Sequence, residues 1–153
     1  MTFDRLRYRK SRKMRIITGK YKGRHFDIPR SFKARPTTDF AKENIFNVLN
    51  AYIDFDDTTA LDLFSGTGSI TLELASRGCA HVISVEMDRD HHRFIQDCLK
   101  KLGDANVLPI RGDVFRFIKS CKLQFDFIFA DPPYALKDPG NRRQNPAPGS
   151  HFV

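Results

Sequence analysis

Residues 59–86 read TALDLFSGTGSITLELASRGCAHVISVE, and this stretch decides the fold class. Two short apolar runs, 59–64 and 81–86, have the length and composition of buried strands. Between them, the pattern predicts a helix over 69–77, which begins directly after a glycine-containing turn. A strand, a helix and a second strand in this order predict a right-handed crossover between parallel strands.

The same alternation continues towards the C-terminus. It predicts helices over 88–102 and 113–120 and strands over 106–110 and 125–130. The helix over 88–102 has a buried face at helical spacing, formed by Phe94, Ile95, Cys98, Leu99 and Leu102. We therefore predict an α/β domain with a mostly parallel sheet.

Two further elements precede this core. Residues 14–28 predict a β-hairpin around the turn Lys20–Gly23, with an apolar side formed by Ile16, Ile17, Phe26 and Ile28. A helix follows Pro36, capped by Thr38 or Asp39. Its predicted buried face consists of Ala41, Ile45, Val48, Leu49 and Tyr52.

Composition limits the classes of function. The 153 residues are 41% hydrophobic and 29% charged, which suits one globular domain. No apolar run approaches the roughly 20 residues that cross a bilayer, and the charged N-terminus lacks a secretory signal. We therefore expect a cytoplasmic protein.

Positive charge is concentrated at the N-terminus. Residues 1–35 contain 13 Lys and Arg but only 2 Asp and Glu, whereas residues 36–153 contain 13 and 16, within a net charge of +8. Such asymmetry favours a polyanionic partner. Cys79, Cys98 and Cys121 form no C-x-x-C pair, so the sequence predicts no metal site.

The hairpin turn carries the residues that best suit RNA. Lys20, Lys22 and Arg24 can meet phosphates, and the ring of Tyr21 can stack on a base. The alternative is a solvated hairpin tip.

The first candidate site is the turn after the first core strand, Asp62 to Gly68. Gly66 and Gly68 let a ligand approach the backbone. A dinucleotide site would favour a third glycine near Thr71, and Asp62 would repel a pyrophosphate. The same carboxylate suits a cofactor that carries an amine and a sulfonium. A plain tight turn is the alternative.

Two further carboxylates follow the next strands. Glu86 ends the second strand, where it can accept both ribose hydroxyls of an adenosine. Asp113 follows the third strand and can accept from an adenine amino group. Helix N-capping is the alternative for Asp113.

The most specific signal is Asp131-Pro132-Pro133-Tyr134, directly after the fourth strand. An aryl amine is a poor nucleophile because its lone pair is delocalised into the ring. Hydrogen-bond acceptors that hold its hydrogens favour a more tetrahedral nitrogen. Asp131 offers a carboxylate, Pro132 a backbone carbonyl, and Tyr134 a surface on which an extruded base can stack.

The order of these motifs resembles that of class I amino-methyltransferases, which have a Rossmann-like fold. The motifs are the Asp62–Gly68 turn, which includes Phe64, followed by Glu86, Asp113 and DPPY. The block MRIITGKYKGR…IP…ARPTTDFAKENIFNVL resembles more narrowly the RsmD family. The likeness runs from about Met14 to Leu136. It implies S-adenosyl-L-methionine as cofactor, with further contacts from Arg35 and Thr37. It also implies N2 methylation of a guanine in 16S ribosomal RNA of the small subunit.

The resemblance also implies strands beyond the fourth, which residues 135–153 do not supply. We expect a C-terminally truncated chain in which the 125–130 strand forms an exposed apolar edge. The predicted organisation is a basic arm and RNA-contacting hairpin over 1–35, a methyltransferase core over 36–134 and a disordered tail over 135–153. We expect a monomer.

Two alternatives remain open on the sequence. A DNA adenine or cytosine amino-methyltransferase also uses DPPY, although the chain has no room for a separate sequence-reading domain. An inactive, truncated RNA-binding remnant would account for the basic N-terminus and the absent strands.

Overall fold

Two sheets and four helices make up the described part of the chain, which is residues 12–33 and 36–133 of a computed structural model. In chain order the elements are β1 (Lys13–Arg15), β2 (His25–Asp27), α1 (Asp39–Leu49), β3 (Thr59–Leu63), α2 (Ser69–Ser76), β4 (His81–Glu86), α3 (Arg89–Leu102), β5 (Val107–Arg111), α4 (Val114–Ser120) and β6 (Phe127–Ala130). The predicted core strands and helices are confirmed, with ends that differ by at most two residues. The predicted tail, most of the basic arm, Arg35 and Tyr134 lie outside the described residues.

The larger sheet has the order β5-β4-β3-β6, and all of its strand pairs are parallel. The strand order reverses at β3, because the chain first extends the sheet through β4 and β5 and then returns to the other side of β3. Ligands of open α/β sheets bind at the carboxyl ends of the strands beside such a reversal. The topology therefore directs attention to the segments that follow β3, β4 and β6.

The predicted hairpin is confirmed as the antiparallel pair of β1 and β2. Its inward residues Met14, Ile16, Phe26 and Ile28 are buried in the same hydrophobic core as α1, α2, α3 and one face of the sheet. The opposite face of the sheet packs around Val114 of α4. The hairpin is thus held against the sheet domain by shared apolar burial.

The predicted apolar face of α1 is wrong in part: Leu49 is buried and Ile45 packs against the core, but Val48 and Tyr52 do not. Helix α1 buries Lys42, Phe46 and Leu49, whereas Val48 is 62% exposed and Tyr52, beyond the helix end, is 83% exposed. The helix is rotated relative to the prediction because a lysine occupies the middle of its inner face. A search for apolar periodicity assigns any lysine to solvent and so selects the wrong face.

Burial of Lys42 is possible because its ammonium group is fully partnered. Its Nζ donates to the Arg15 carbonyl and to Ser69 Oγ, and lies 3.5 Å from Glu73 Oε2. Glu73, also fully buried, accepts from the backbone amides of Ile17 and Thr18 at 3.0 Å each. Three elements, the hairpin, α1 and α2, are therefore joined by one buried ionic network.

Strand β6 forms one edge of the sheet within the described residues, where it pairs with β3 alone. Its last three residues, Ile128, Phe129 and Ala130, are half-buried. The strand lies at an edge, as expected, but its apolar residues are half-buried or buried and not exposed. None of the helices in residues 12–33 and 36–133 is long and apolar enough to span a bilayer.

Candidate functional site

A cleft of about 860 Å³ lies at the carboxyl ends of β3, β4 and β6. This volume is within the range of small-molecule and cofactor sites. The cleft brings together nine of the residues selected from the sequence: Thr37, Asp62, Phe64, Gly66, Glu86, Asp113, Asp131, Pro132 and Pro133. Gly68 does not line it, and Arg35 and Tyr134 lie outside the described residues.

The turn between β3 and α2 explains the different positions of the two glycines. Gly66 has a φ of +57°, and a Cβ built on it would meet nothing within 4 Å, because it would point into open space. Gly68 has a φ of +81°, and a Cβ there would lie 2.8 Å from Cγ1 of Ile95 in α3. Gly66 thus leaves room at the cleft, whereas Gly68 permits close packing of α2 against α3.

Phe64 opens this turn with a φ of +57°, which is uncommon for a residue with a side chain. Residues in such conformations cluster at functional sites, where the surrounding structure holds them. The Phe64 ring meets the Phe115 ring edge to face, at 6.2 Å between centroids. Both rings line the cleft and give it an apolar wall.

Asp62 is a buried carboxylate that faces the cleft. Its side chain is 1% exposed and accepts a hydrogen bond of 2.6 Å from Thr71 Oγ1. Burial raises the pKa of Asp62 to about 7, the Thr71 hydrogen bonds oppose the rise, and the nearby charges of Glu86 and Asp131 add to it. Within the described residues no cation pairs with it. A ligand that brings a positive charge would compensate this group.

Glu86 ends β4 and reaches back to the turn. Its Oε2 accepts from the backbone amide of Gly66 at 2.7 Å, and its Oε1 accepts from the amide of Asp88 at 3.1 Å. Each carboxylate oxygen can accept two hydrogen bonds, so both retain capacity for ligand hydroxyls. Glu86 therefore organises the turn and remains available to the cleft.

Asp113 is the N-cap of α4, as its alternative interpretation proposed. Its Oδ1 accepts from the backbone amide of Arg116 at 3.0 Å. The residue also lines the cleft. Capping fixes the orientation of the carboxylate at the cleft wall, so the capping role and a role in ligand binding are compatible.

Asp131, Pro132 and Pro133 follow β6 directly and are exposed at the mouth of the cleft. Their position follows from the register of the sheet, since Ala130 pairs with Leu63, the last residue of β3. The DPP segment and the glycine turn thus leave adjacent parallel strands at the same level. They therefore line the same cleft.

Several cleft residues were not predicted from the sequence. They are Lys33, Ser69, Ile70, Met87, His91, Val114, Phe115 and Phe129, whereas Ser65 and Thr67 belong to the predicted turn Asp62 to Gly68. Met87 and Phe115 are large, exposed apolar residues directly after Glu86 and shortly after Asp113, so their places beside the ends of β4 and β5 were a usable signal. The sequence carried no such signal for Lys33, because this residue reaches the cleft from the segment after the hairpin and not from the end of a sheet strand.

The four predicted RNA-binding residues lie away from the cleft. The Tyr21 hydroxyl donates to Asp104, and the Arg24 guanidinium donates to the carbonyl of Lys101, beside the C-terminal end of α3. Burial, followed by the Asp104 contacts, raises the pKa of Tyr21 to about 12. Lys20 and Lys22 flank this anchored tyrosine in the turn.

Known proteins resemble this chain in sequence and in fold. A Bacillus subtilis protein described as a candidate rRNA methyltransferase is 38% identical over 125 residues, which are 79% of this chain and 67% of that protein. Ribosomal RNA small subunit methyltransferase D of Escherichia coli K12 is 34% identical over 124 residues, which cover 81% of this chain and 62% of that protein. A solved structure of a candidate methyltransferase from Escherichia coli superposes with a TM-score of 0.71 at 31% identity. The superposition covers 79% of this chain and 64% of that protein.

The chain thus spans about three fifths to two thirds of the length of these relatives. The model of the family described as conserved hypothetical protein 95 matches residues 14–142. This match begins within β1 and includes all of the described elements except Lys13, the first residue of β1. The chain therefore belongs to that family, the RsmD family that its motifs resemble.

Proposed function

We propose that this chain transfers a methyl group from S-adenosyl-L-methionine to the N2 amino group of a guanine in 16S ribosomal RNA of the small subunit. We further propose that it acts in the cytoplasm as a monomer. The observation that carries the proposal is the single cleft that gathers Asp62, Glu86, Asp113 and Asp131 around the Gly66 turn. Relatives named for ribosomal RNA methylation support the choice of substrate.

The cleft fits the proposed cofactor on chemical grounds. Asp62 is a buried carboxylate without a cationic partner in the described residues, and it would face the ammonium or sulfonium charge of the cofactor. Glu86 would hold the ribose hydroxyls and Asp113 the adenine amino group, with Thr37 beside them. When bound, S-adenosyl-L-methionine supplies an electrophilic methyl group.

The remaining chemistry belongs to residues of this chain. Asp131 and the Pro132 carbonyl would accept the two hydrogens of the target amine and so favour a nitrogen whose lone pair is available. Phe64 and Phe115 form an apolar wall of the cleft. Tyr134, which lies outside the described residues, is proposed to stack on the base. Most of the rate gain would come from positioning.

The test of this function is the variant Asp131→Asn. It keeps the size of the side chain and one neutral acceptor oxygen but removes the charge, so transfer should fall by about tenfold or more, because a charge-assisted hydrogen bond is roughly twice as strong as a neutral one. The Kd for S-adenosylhomocysteine, the demethylated product, should stay within about threefold, because Asp131 is not a proposed cofactor contact. Transfer is measured with radiolabelled cofactor on 16S rRNA transcribed in vitro, and binding by calorimetry.

Asp97→Asn is the matched control, since Asp97 is an exposed carboxylate on α3 that does not line the cleft. Its transfer rate should equal that of the wild type. Near-normal transfer by Asp131→Asn would refute the assigned role. Transfer to duplex DNA in preference to rRNA would identify a DNA methyltransferase, and rRNA binding without product binding would identify a non-catalytic RNA-binding protein.

A further inference from the structure

The solvent face of the hairpin is a basic strip. Residues 12–33 contain eight Lys and Arg but a single acid, Asp27. Both strands alternate exposed, buried and exposed positions, with Met14 and Phe26 turned to the core. Because the inward positions are apolar, the cations lie on the outer face and in the connecting segments.

One end of this strip lies at the cleft. Lys33 lines the cleft, and the ring of the neighbouring Phe32 contacts the ring of His91, at 4.6 Å between centroids. His91 belongs to the first turn of α3 and also lines the cleft. The segment after β2 therefore brings Lys33 to the carboxyl ends of the sheet strands.

The other end lies against the opposite terminus of α3. Arg24 donates to the carbonyl of Lys101 in the last turn, and Tyr21 donates to Asp104 just beyond it. His91, at the cleft, and Lys101 are ten residues apart in α3, so they are separated by about 15 Å along the helix axis at 1.5 Å per residue. The strip thus spans roughly this distance, equal to about four nucleotides of stacked strand at 3.4 Å each.

The turn at the far end is rigidly mounted. The backbone amides of Lys20 and Tyr21 donate to the carbonyl and the hydroxyl of Ser76, and Glu73 accepts from Thr18. A Cβ on Gly19 would lie 2.0 Å from the Ser76 carbonyl oxygen, so the turn is seated directly on the end of α2. Its cations are therefore presented at a fixed distance from the cleft, which reduces the entropic cost of binding an extended ligand.

Acidic neighbours neutralise only part of this charge. Arg15 pairs with Asp39 at 2.7 Å, Lys20 lies 3.7 Å from the buried Asp104, and Lys13 stands opposite Asp27. Asp97 lies one helical turn before Lys101. In the described residues, no ion pair involves the other cations of the strip, which are Arg12, Lys22, Arg24, Arg30 and Lys33, or Lys101 at the end of α3.

We propose that the hairpin face is a phosphate track, and that Lys22, Arg24 and Lys101 form a second RNA anchor about 15 Å from the cleft, at 1.5 Å per residue of α3. The inference rests on the proposed function, because it assumes that the target guanine enters the cleft. It makes the substrate an RNA large enough to occupy both places at once. A fragment confined to the target nucleotide and its neighbours engages only the cleft end.

The test compares two charge-reversed double variants. Lys22→Glu with Lys101→Glu alters the turn anchor, and both side chains are exposed without a described side-chain contact. Lys119→Glu with Lys122→Glu is the matched control, because it makes the same change of charge at exposed positions at the end of α4, which packs on the other face of the sheet. Each is measured for binding to transcribed 16S rRNA and to a five-nucleotide RNA with a central guanine, over a range of salt.

The turn variant should bind 16S rRNA about tenfold or more weakly than the control, since each reversal removes a phosphate contact and adds a repulsion. The slope of log affinity against log salt should fall by about 0.7 to 0.9 for each lost contact. Binding of the five-nucleotide RNA should be unchanged. Equal 16S rRNA affinity in the two double variants, or equal losses on both RNAs in the turn variant, would overturn the second anchor.

The two proposals fail separately in this design. Binding of S-adenosylhomocysteine and methyl transfer by the wild type test the proposed function. The difference between the two double variants in RNA affinity tests the anchor, and it is measured without the reaction.

Discussion

At the scale of single residues, Asp62 has the most unusual environment of the cleft. It is buried behind the Gly66 turn, and its only described side-chain partner is Thr71. A sequence motif can indicate that an acid belongs near a ligand. It cannot indicate that the acid is desolvated, because desolvation depends on what packs around it.

The burial of Asp62 predicts a pH-dependent stability. Its pKa rises from 3.8 to about 7 on folding, so its protonated form favours the folded chain. That contribution is complete below pH 3.8 and is lost as the pH rises through about 7. The Asp62→Asn variant cannot ionise at this position. As the pH rises from about 3.8 to about 7, its free energy of unfolding should therefore increase relative to that of the wild type by about 1.4 kcal/mol for each pH unit, up to about 4 kcal/mol. Urea unfolding at about pH 5 and about pH 7.5 measures this difference.

The same variant should bind S-adenosylhomocysteine more weakly at pH 7.5, because the cleft loses the carboxylate that faces the ligand ammonium. Increased stability with decreased binding is the pattern expected of a functional group held in an unfavourable place. Identical pH profiles for Asp62→Asn and the wild type would contradict the assigned burial.

At the scale of elements, the two glycines of the turn between β3 and α2 have different roles, one at the cleft and one in helix packing. Both Gly66 and Gly68 have positive φ, but only Gly66 lines the cleft. The motif alone assigned both glycines to the cofactor. The packing of α3 against the start of α2 shows that Gly68 is required by Ile95.

Alanine substitutions should distinguish these roles. Gly68→Ala adds a 2.8 Å clash to an unfavourable φ and should lower the free energy of unfolding by about 2–4 kcal/mol. Gly66→Ala meets no protein atom and should cost only about 1–2 kcal/mol, while weakening the binding of S-adenosylhomocysteine. Gly103→Ala is the control, because Gly103 also has a positive φ (+67°) and open space around its Cβ position but lies outside the cleft. Equal binding by Gly66→Ala and Gly103→Ala would contradict the assignment.

At the scale of the whole molecule, the Lys42–Glu73 network connects the basic hairpin to the start of α2, beside the Gly66 turn. Lys42 donates to Ser69, which lines the cleft, and Glu73 holds the amides of Ile17 and Thr18. Desolvation lowers the pKa of Lys42, and the charge of Glu73 opposes that effect. A buried charge pair of this kind is costly to break from one side.

Glu73→Gln should therefore lower the free energy of unfolding by about 3–5 kcal/mol, because it leaves Lys42 buried beside a neutral group. The double variant Lys42→Met with Glu73→Gln should lose less than the sum of the two single changes. Amide hydrogen exchange at Ile17 and Thr18 should accelerate in Glu73→Gln. Glu43→Gln, on the exposed side of α1, should leave both measurements unchanged, and additive losses in the double variant would refute the pairing.

The sequence by itself determined the alternation of strands and helices, the parallel crossovers, and the set of acids that end at one edge of the sheet. These features follow from local periodicity and from the handedness of crossovers, which are properties of short segments. The register of parallel strands then brings Asp62, Glu86 and Asp131 together, although they are far apart in the chain.

Only the tertiary structure decided which face of α1 is buried, which glycine serves packing, and how far the basic turn lies from the cleft. Each depends on partners from distant segments: Glu73 for Lys42, Ile95 for Gly68, and the end of α3 for the hairpin turn. The sequence does not show whether a charged residue or a glycine faces water, a ligand or another helix. Its role is settled only by the atoms that folding places beside it.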